Sequence, residues 1–315
     1  MSFALEVKSE VLAHEFDENL SKCFLAGFIK YNGDLIFSNN KEKLRLTSNS
    51  NKIARSIFKL CKQNFSGLIN IGISQAKNSN KVTTYYIILE GQISVFLQSL
   101  NVVDKNQIKI VEFIFDFKKL SKDLVKNLKR AYIAGVFVAI GSVNSPNTTN
   151  YHLELQFKDL ASAKYWVVLL KDFNFEFKVL KRSEKLYISY IKKSLLVSDF
   201  LKLIDAYQCV MEFENARISR EFHNNINRTN NVDVYNNKKA LVVGLKQVDQ
   251  ISKIQSKIAS SQLSIKAQAL MELRIENPDA SYSELTNKMI EKGFIITKSG
   301  ISNLFKIIHK LSEEL

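Results

Sequence analysis

The chain has 315 residues, of which 46% are hydrophobic and 10% aromatic, so it can build real cores and is not a disordered protein. This length favours two domains or three. Its 45 Lys and Arg against 31 Asp and Glu give a formal charge of +14, which favours a polyanionic partner, nucleic acid before an anionic membrane.

Cysteine and histidine give no sign of a metal centre. The three cysteines are dispersed without a CxxC pair, and the four histidines have no metal-ligand spacing. The first twelve residues lack the apolar run of a signal peptide, and the longest apolar stretch, residues 131–143, is too short to span a bilayer. We therefore expect a cytoplasmic protein in a reducing compartment, with no metal, cofactor or membrane partner.

One apolar stretch occurs twice, 108 residues apart. Its small residues are Ala26, Gly27, Ala134 and Gly135. Small side chains let two helices approach backbone to backbone, so we expect two pseudo-symmetric halves that pack along these helices; two unrelated buried helices are the alternative. A further glycine follows each pair, Gly33 and Gly141, and is expected to adopt the left-handed conformation of a helix C-terminus.

The first half is predicted to contain four helices and two hairpins. Its elements are helix 2–15, helix 21–32, strands 33–37 and 44–47, helix 51–64, strands 68–74 and 82–89, and a helix near 92–100. Polar turns at residues 38–41 and 77–80 join the strands, and Ser2 is expected to cap the first helix.

The second half repeats this order. Its elements are helix 125–140, strand 151–157, helix 160–173, strands 175–180 and 186–190 joined by a turn at 181–184, and helix 195–204. Phe173, Phe175 and Phe177 are interpreted as the core face of a sheet rather than as a base-stacking platform. The fold class is thus α+β, a helix–strand–strand–helix–strand–strand–helix unit that occurs twice, followed by an all-α domain.

After residue 206 the pattern is helical, with predicted helices at 210–222, 238–256 and 263–276. The Asn-dense basic run between them, residues 223–239, is interpreted as a linker or as an ordered phosphate-contacting segment. The predicted domains are residues 1–120, 121–222 and 223–315.

The C-terminal segment predicts a helix-turn-helix at about residues 280–313. Ser281 and Glu284 have capping-box spacing, Gly293 stops that helix, and Thr297 can cap the next, at 298–311. The start of the second helix would read bases, and its exposed candidates are Lys298, Ser299, Ser302, Asn303 and Lys306. Asn suits adenine, and Lys suits guanine or phosphate. A helical hairpin with a solvated polar face is the alternative.

The repeated stretch resembles the LAGLIDADG motif of homing endonucleases, closely at residues 25–29 and less closely at 133–135. In that family an acid just before the final glycine of each helix holds the divalent metal. Here Asn32 and Ile140 occupy those positions. An amide and an aliphatic chain cannot supply paired carboxylates, so we expect the scaffold without the cleavage chemistry.

An endonuclease-like fold without its acids, followed by a helix-turn-helix, resembles the WhiA family of bacterial transcription regulators. The matching stretches are residues 2–12, 25–35, 130–146, 224–231, 273–281 and 297–302. The resemblance implies a sequence-specific regulator linked to cell division, chromosome segregation and, in spore formers, sporulation. It also implies a double-stranded DNA partner and a location at the nucleoid. Further DNA-contacting residues are expected at Asn227, Arg228, Lys238 and Lys239.

Three functions compete at this point. The first is a non-enzymatic transcription regulator, with contacts to the transcription machinery and a small-molecule effector left open. The second is a metal-dependent homing endonuclease or splicing maturase on the same scaffold. A small-molecule sensor that uses the groove between the halves ranks lowest, because the sequence has no phosphate-cradling glycine loop.

Overall fold

The computed structural model describes residues 2–38, 41–75, 83–118, 120–258 and 263–314. It divides into two compact units, Met1–Ser219 and Arg220–Leu315, which are taken separately below. Within the described ranges, no helix has both the length and the apolar character needed to cross a membrane. The predicted turns at 38–41 and 77–80 lie largely or wholly outside the described residues.

The first half of the first unit has four helices around an antiparallel sheet. In chain order the elements are α1 Phe3–Val11, α2 Glu18–Asn32, β1 Asp34–Ser38, β2 Lys41–Ser48, α3 Asn51–Asn64, β3 Leu68–Gln75, β4 Thr83–Glu90 and α4 Ile93–Ser99. The strand order is β1-β2-β4-β3. Leu44 and Leu46 alternate with charged or polar residues along β2 and pair with Leu89 and Ile87, so one sheet face is buried.

The second half has the same topology. Its elements are α5 Lys122–Ile140, β5 Gly141–Val143, β6 Leu153–Phe157, α6 Leu160–Lys171, β7 Lys178–Ser183, β8 Leu186–Ile191 and α7 Ser194–Leu203. The strand order is β5-β6-β8-β7, with every pairing antiparallel. Leu153, Leu155 and Phe157 are fully buried along β6. The predicted α+β architecture of two equivalent halves followed by a helical domain is confirmed.

The repeat helices α2 and α5 cross at their glycines. A Cβ atom at Gly27 would lie 2.3 Å from the carbonyl oxygen of Tyr132, and one at Gly135 would lie 2.0 Å from that of Phe24. Real Cβ atoms do not approach so closely, so the two backbones touch because no side chain separates them. Ala26 and Ala134 are buried beside this crossing.

The prediction that Gly33 and Gly141 take a left-handed conformation is wrong. Their φ angles are −73° and −79°, and both are extended, because each helix passes directly into a strand. Space, not backbone freedom, requires glycine at both positions. A Cβ at Gly33 would lie 2.7 Å from the carbonyl oxygen of Ile29, and one at Gly141 would lie 2.2 Å from Cδ2 of Phe137.

The predicted bounds of the strand after α6, residues 175–180, are also wrong, since β7 spans Lys178–Ser183. Asn174 has φ +62°, and the chain then folds back, with the backbone N–H of Phe175 donating to the carbonyl of Leu170. Phe175 and Phe177 therefore precede β7 as buried loop residues against Phe200, and most of the predicted turn 181–184 lies in β7. Phe173 is partly buried against the same core, so the phenylalanines are core residues as predicted. The short strand β5 was not predicted, and Ser2 makes no capping hydrogen bond from its side chain.

The helix α8, Tyr207–Lys257, is continuous through the Asn-dense run, so of the two interpretations of residues 223–239 the linker is wrong and the segment is ordered. The run contains neither proline nor glycine, the two residues that interrupt a helix most strongly. The second unit adds α9 Ile265–Glu276, α10 Tyr282–Glu291 and α11 Lys298–Glu313. Its buried core draws on α8 to α11, with Ile251, Ile254, Leu270, Met271, Leu285, Met289, Ile301, Phe305 and Ile308 among its members.

Candidate nucleic-acid interface

Helices α10 and α11 begin at well-formed caps. The hydroxyl of Ser281 accepts from the backbone N–H of Glu284, and the Glu284 carboxylate accepts from the Ser281 N–H at 2.7 Å. This is the predicted capping box, and the hydrogen bonds from Ser281 lower the pKa of Glu284. At the start of α11, the hydroxyl of Thr297 accepts from the N–H of Gly300 at 3.2 Å. Both helix starts are therefore fixed by local side chains.

The turn between α10 and α11 depends on Gly293, whose φ is +87°. The N–H of Gly293 donates to the carbonyl of Ile290, and the N–H of Phe294 donates to the carbonyl of Met289. This pair of bonds is a Schellman motif, which needs a left-handed residue at the position of the glycine. The chain thus leaves α10 at a defined angle before α11 begins.

A buried arginine holds the loop that leads into α10. Arg274 is 1% exposed, and its guanidinium donates to the carbonyl oxygens of Asn277, Pro278 and Ala280, the last at 2.7 Å. It also lies 5.2 Å from the centre of the Phe305 ring. Burial lowers the pKa of Arg274. Because an unpaired buried carbonyl is costly, this one side chain fixes the α9–α10 loop against the core of α11.

The α8 helix approaches the same loop very closely. A Cβ at Gly244 would lie 1.7 Å from the carbonyl oxygen of Pro278, so only glycine allows this contact. Nearby, the amide of Gln247 donates to the hydroxyl of Tyr282 at 2.8 Å, and the Tyr282 ring stacks on Phe305 at 5.4 Å. Sequence reasoning missed Arg274, Gly244 and this pair of contacts. A lone glycine inside a long helical pattern was the one available signal.

The five candidate base-reading residues lie on one side of α11. At 100° per residue, Lys298, Ser302 and Lys306 form one row and Ser299 and Asn303 the next. All are exposed except Ser302, which is half-buried, and Lys298 and Ser302 border the buried row of Ile301, Phe305 and Ile308. The hydroxyl of Ser299 lies 2.9 Å from that of Thr297, so it is engaged in the cap.

The four candidates on α8 are also grouped by the helix period. Asn227 and Lys238 are eleven residues apart, close to three full turns, and Arg228 and Lys239 share that spacing on the adjacent row. All four side chains are exposed. The structure therefore places them on one face of a continuous helix rather than on a flexible linker.

The residues at the two positions where the LAGLIDADG motif carries acids have structural roles. The Asn32 side chain donates to the Thr47 carbonyl at 3.1 Å and accepts from the Thr47 N–H at 2.8 Å, so it joins α2 to β2. Ile140 packs against the hydrophobic core. The next acid along the chain, Asp34, pairs with Arg45 at 3.6 Å and Lys158 at 4.0 Å. In the described ranges no three His, Cys, Asp or Glu side chains form a metal-binding group. The committed amide of Asn32 and the aliphatic side chain of Ile140 do not fit a divalent cation.

The fold and these two regions define a class: a double LAGLIDADG-type scaffold with its acid positions substituted, joined to a helix-turn-helix domain. Three family models match the chain. They are described as the WhiA N-terminal LAGLIDADG-like domain at residues 18–103, the WhiA LAGLIDADG-like domain at 129–223 and the WhiA C-terminal HTH domain at 226–312.

Curated relatives agree across the full length. A protein of Bacillus pumilus (strain SAFR-032), named "Probable cell division protein WhiA", is 31% identical over 100% of this chain and 97% of its own. A protein of the same name from Clostridium botulinum (strain Hall) is 33% identical over 100% of this chain and 99% of its own. The chain belongs to the WhiA family. The crystal structure of full-length WhiA from Thermatoga maritima shares the fold, with a TM-score of 0.58 at 23% identity over 100% of this chain and 98% of that one.

Proposed function

We propose that the chain is a sequence-specific regulator of transcription that binds double-stranded DNA and does not cleave it. The exposed polar face of α11, on a helix fixed by the caps and by Arg274, supports base readout more than any other observation. The basic residues on α8 and the net charge of +14 support salt-sensitive phosphate contacts. The names of the relatives support a role in cell division, and we extend that role to chromosome segregation at the nucleoid.

We propose that the chain does not cleave DNA because neither residue at the two acid positions is a carboxylate. With Asn32 committed to the Thr47 backbone and Ile140 packed against the core, the two positions offer no carboxylate for a metal-assisted hydrolysis. Purified protein incubated with supercoiled plasmid and Mg²⁺ or Mn²⁺ is expected to leave the plasmid intact. Nicking that survives purification and disappears in Asn32→Ala would instead support the endonuclease.

Selection from random duplexes tests sequence recognition. The purified full-length chain is expected to enrich one motif, and Asn303→Ala is expected to change the preference at particular base pairs of that motif. Mapping of binding sites in the native host should return the same motif and name the regulated genes. Failure to enrich any sequence, with binding of all duplexes alike, would contradict the proposal.

A further inference from the structure

The first unit contains a cavity of about 230 Å³ bounded by α1, β2, the start of α3 and the repeat helices. Its apolar lining includes Phe28, Ile53 and Val138, and its polar lining includes Lys8, Ser48 and Asn49. None of these residues takes part in the proposed DNA contacts. The proposed DNA binding therefore does not explain this cavity.

Lys8 is the polar group in this cavity that the protein leaves without a charged partner. Its Nζ lies 5.9 Å from the centre of the Phe137 ring, and no carboxylate or hydrogen-bond acceptor within the described ranges contacts it. Burial lowers its pKa to about 8. Desolvating an ammonium without a counter-charge is costly, so the fold places here a cation that an anion would stabilise.

Most of the neighbouring polar groups are already engaged. Oδ1 of Asn49 accepts from the hydroxyl of Thr84 at 3.3 Å. Asn32 is committed in both directions to the Thr47 backbone. The hydroxyl of Ser48 donates to the carbonyl of Ser50 and accepts from its N–H, both at 3.1 Å. Lys8 is thus the charged donor that the cavity can offer to a guest, beside the Nδ2 amide of Asn49. The apolar half of the wall comes from residues such as Phe28, Ile53 and Val138.

We propose that this cavity binds a small carboxylate with an apolar body, its carboxylate accepting hydrogen bonds from Nζ of Lys8 and its hydrocarbon lying against Phe28, Ile53 and Val138. At ~30 Å³ per water, the volume corresponds to about seven or eight waters, so a guest of roughly the size of hexanoate fits. A phosphate dianion fits this site less well, because one ammonium and one amide cannot satisfy all of its oxygens and it has no hydrocarbon to place against the apolar half of the wall.

Isothermal titration of the full-length chain with hexanoate tests the site, with hexanol and inorganic phosphate as the other arms. Saturable hexanoate binding is expected in the millimolar range or tighter, with hexanol and phosphate at least tenfold weaker. Lys8→Met is expected to weaken hexanoate binding at least tenfold. Lys126→Met, which removes the charge of an exposed lysine in the same unit, is the matched control and should bind as the parent chain does.

Two further measurements test the site even if the Lys8→Met variant fails to fold. Ala139→Leu, which retains Lys8 but fills part of the cavity, should also abolish binding. In the parent chain, NMR titration of the Lys8 side chain should show its pKa rise above 8 when hexanoate is saturating. No saturable binding, equal binding of hexanol, unchanged affinity in Lys8→Met or an unchanged Lys8 pKa would each overturn the proposal. None of these results would bear on the proposal that the chain binds DNA, because that proposal rests on residues of α8 and α11.

Discussion

The two units of the chain differ in what they have kept. In the first unit the residues that the LAGLIDADG-type fold requires are intact, since Gly27 and Gly135 let α2 and α5 touch, while the acid positions hold Asn32 and Ile140. In the second unit the residues that fix the fold and the candidate functional residues are both present. The former surround the buried Arg274, and the latter form an exposed polar face on α11. The residues that let the helices touch are thus distinct from those at the acid positions, although Asn32 now serves the fold as well.

The largest expected effect comes from the helix crossing. Gly135→Ala should lower the free energy of unfolding by more than about 4 kcal/mol, because the new methyl group would overlap the Phe24 carbonyl and the two backbones would have to separate. Urea unfolding followed by the fluorescence of Trp166, the sole tryptophan and a buried residue of this unit, measures it. Gly72→Ala, where a Cβ would lie 3.9 Å from its nearest neighbour, is the control and should change stability by less than about 1 kcal/mol.

In the second unit Arg274→Met should cost about 2–4 kcal/mol, because it removes the side-chain donor of the buried Ala280 carbonyl and of the part-buried Pro278 carbonyl. The Asn277 carbonyl still accepts from the N–H of Ala280. Hydrogen exchange of α10 and α11 should accelerate, while the Trp166 unfolding midpoint stays unchanged. The exposed Arg228 provides the control, since Arg228→Met should not alter exchange in these helices. Normal exchange protection in Arg274→Met would show that the loop does not need its guanidinium.

Placing an acid at position 32 should destabilise the fold. Asn32→Asp keeps an acceptor for the Thr47 N–H but turns a second oxygen toward the Thr47 carbonyl, at an expected cost of about 1–3 kcal/mol at pH 7. The loss should shrink as the pH falls through the raised pKa of the new carboxyl, because its protonated form can donate again. Thermal unfolding at pH 7 and pH 4.5 measures this. A pH-independent loss, or one matched by the exposed-loop variant Asn147→Asp, would contradict it.

A smaller, pH-dependent effect is expected at Lys30, which is 7% exposed and donates to the carbonyls of Val111 and Glu112. Burial lowers its pKa to about 7, below that of the unfolded chain. Between these two values the unfolded state binds more protons, so stability should rise with pH, by at most about 1.4 kcal/mol per pH unit. Below the folded pKa this contribution becomes constant.

Lys30→Met should therefore reduce the slope of the stability profile between pH 7 and pH 10, while the contribution of Lys8, whose pKa is lowered to about 8, remains. Urea midpoints across that range, followed by Trp166 fluorescence, give the slope. Lys126→Met, which removes an exposed charge, should keep the parent slope. Parallel profiles for the parent chain and Lys30→Met would contradict the prediction.

Much of this structure follows from local sequence signals. Residues 51–64 form a helix at the predicted bounds because Ser50 caps an amphipathic run, and the capping box at Ser281 is read directly from its spacing. The predictions that were wrong concern segments whose conformation depends on packing against residues distant in the sequence. Alternating phenylalanines at 173, 175 and 177 fit a strand period, yet they are loop residues directed into a core that only the folded chain creates.

The burial of particular charged side chains could not be predicted from the sequence either. Nothing in the local sequence distinguishes Arg274 or Lys8 from the many exposed basic residues, because their environment comes from segments distant in the chain. The Asn-dense run at 223–239 has the composition of a linker, but composition does not break a helix that lacks proline and glycine. The residues proposed to contact DNA could be named from the sequence, and their grouping on two helix faces required the structure.

The central claim is that α11 reads bases while α8 contacts phosphates. The direct measurement is the ratio of affinities for a selected duplex and a random duplex, by fluorescence anisotropy at several salt concentrations. Asn303→Ala should lower this ratio by about 5- to 150-fold, equal to about 1–3 kcal/mol, whereas Lys238→Ala should weaken both duplexes alike and reduce the salt slope by about one. Equal losses on both duplexes for both variants would contradict the account.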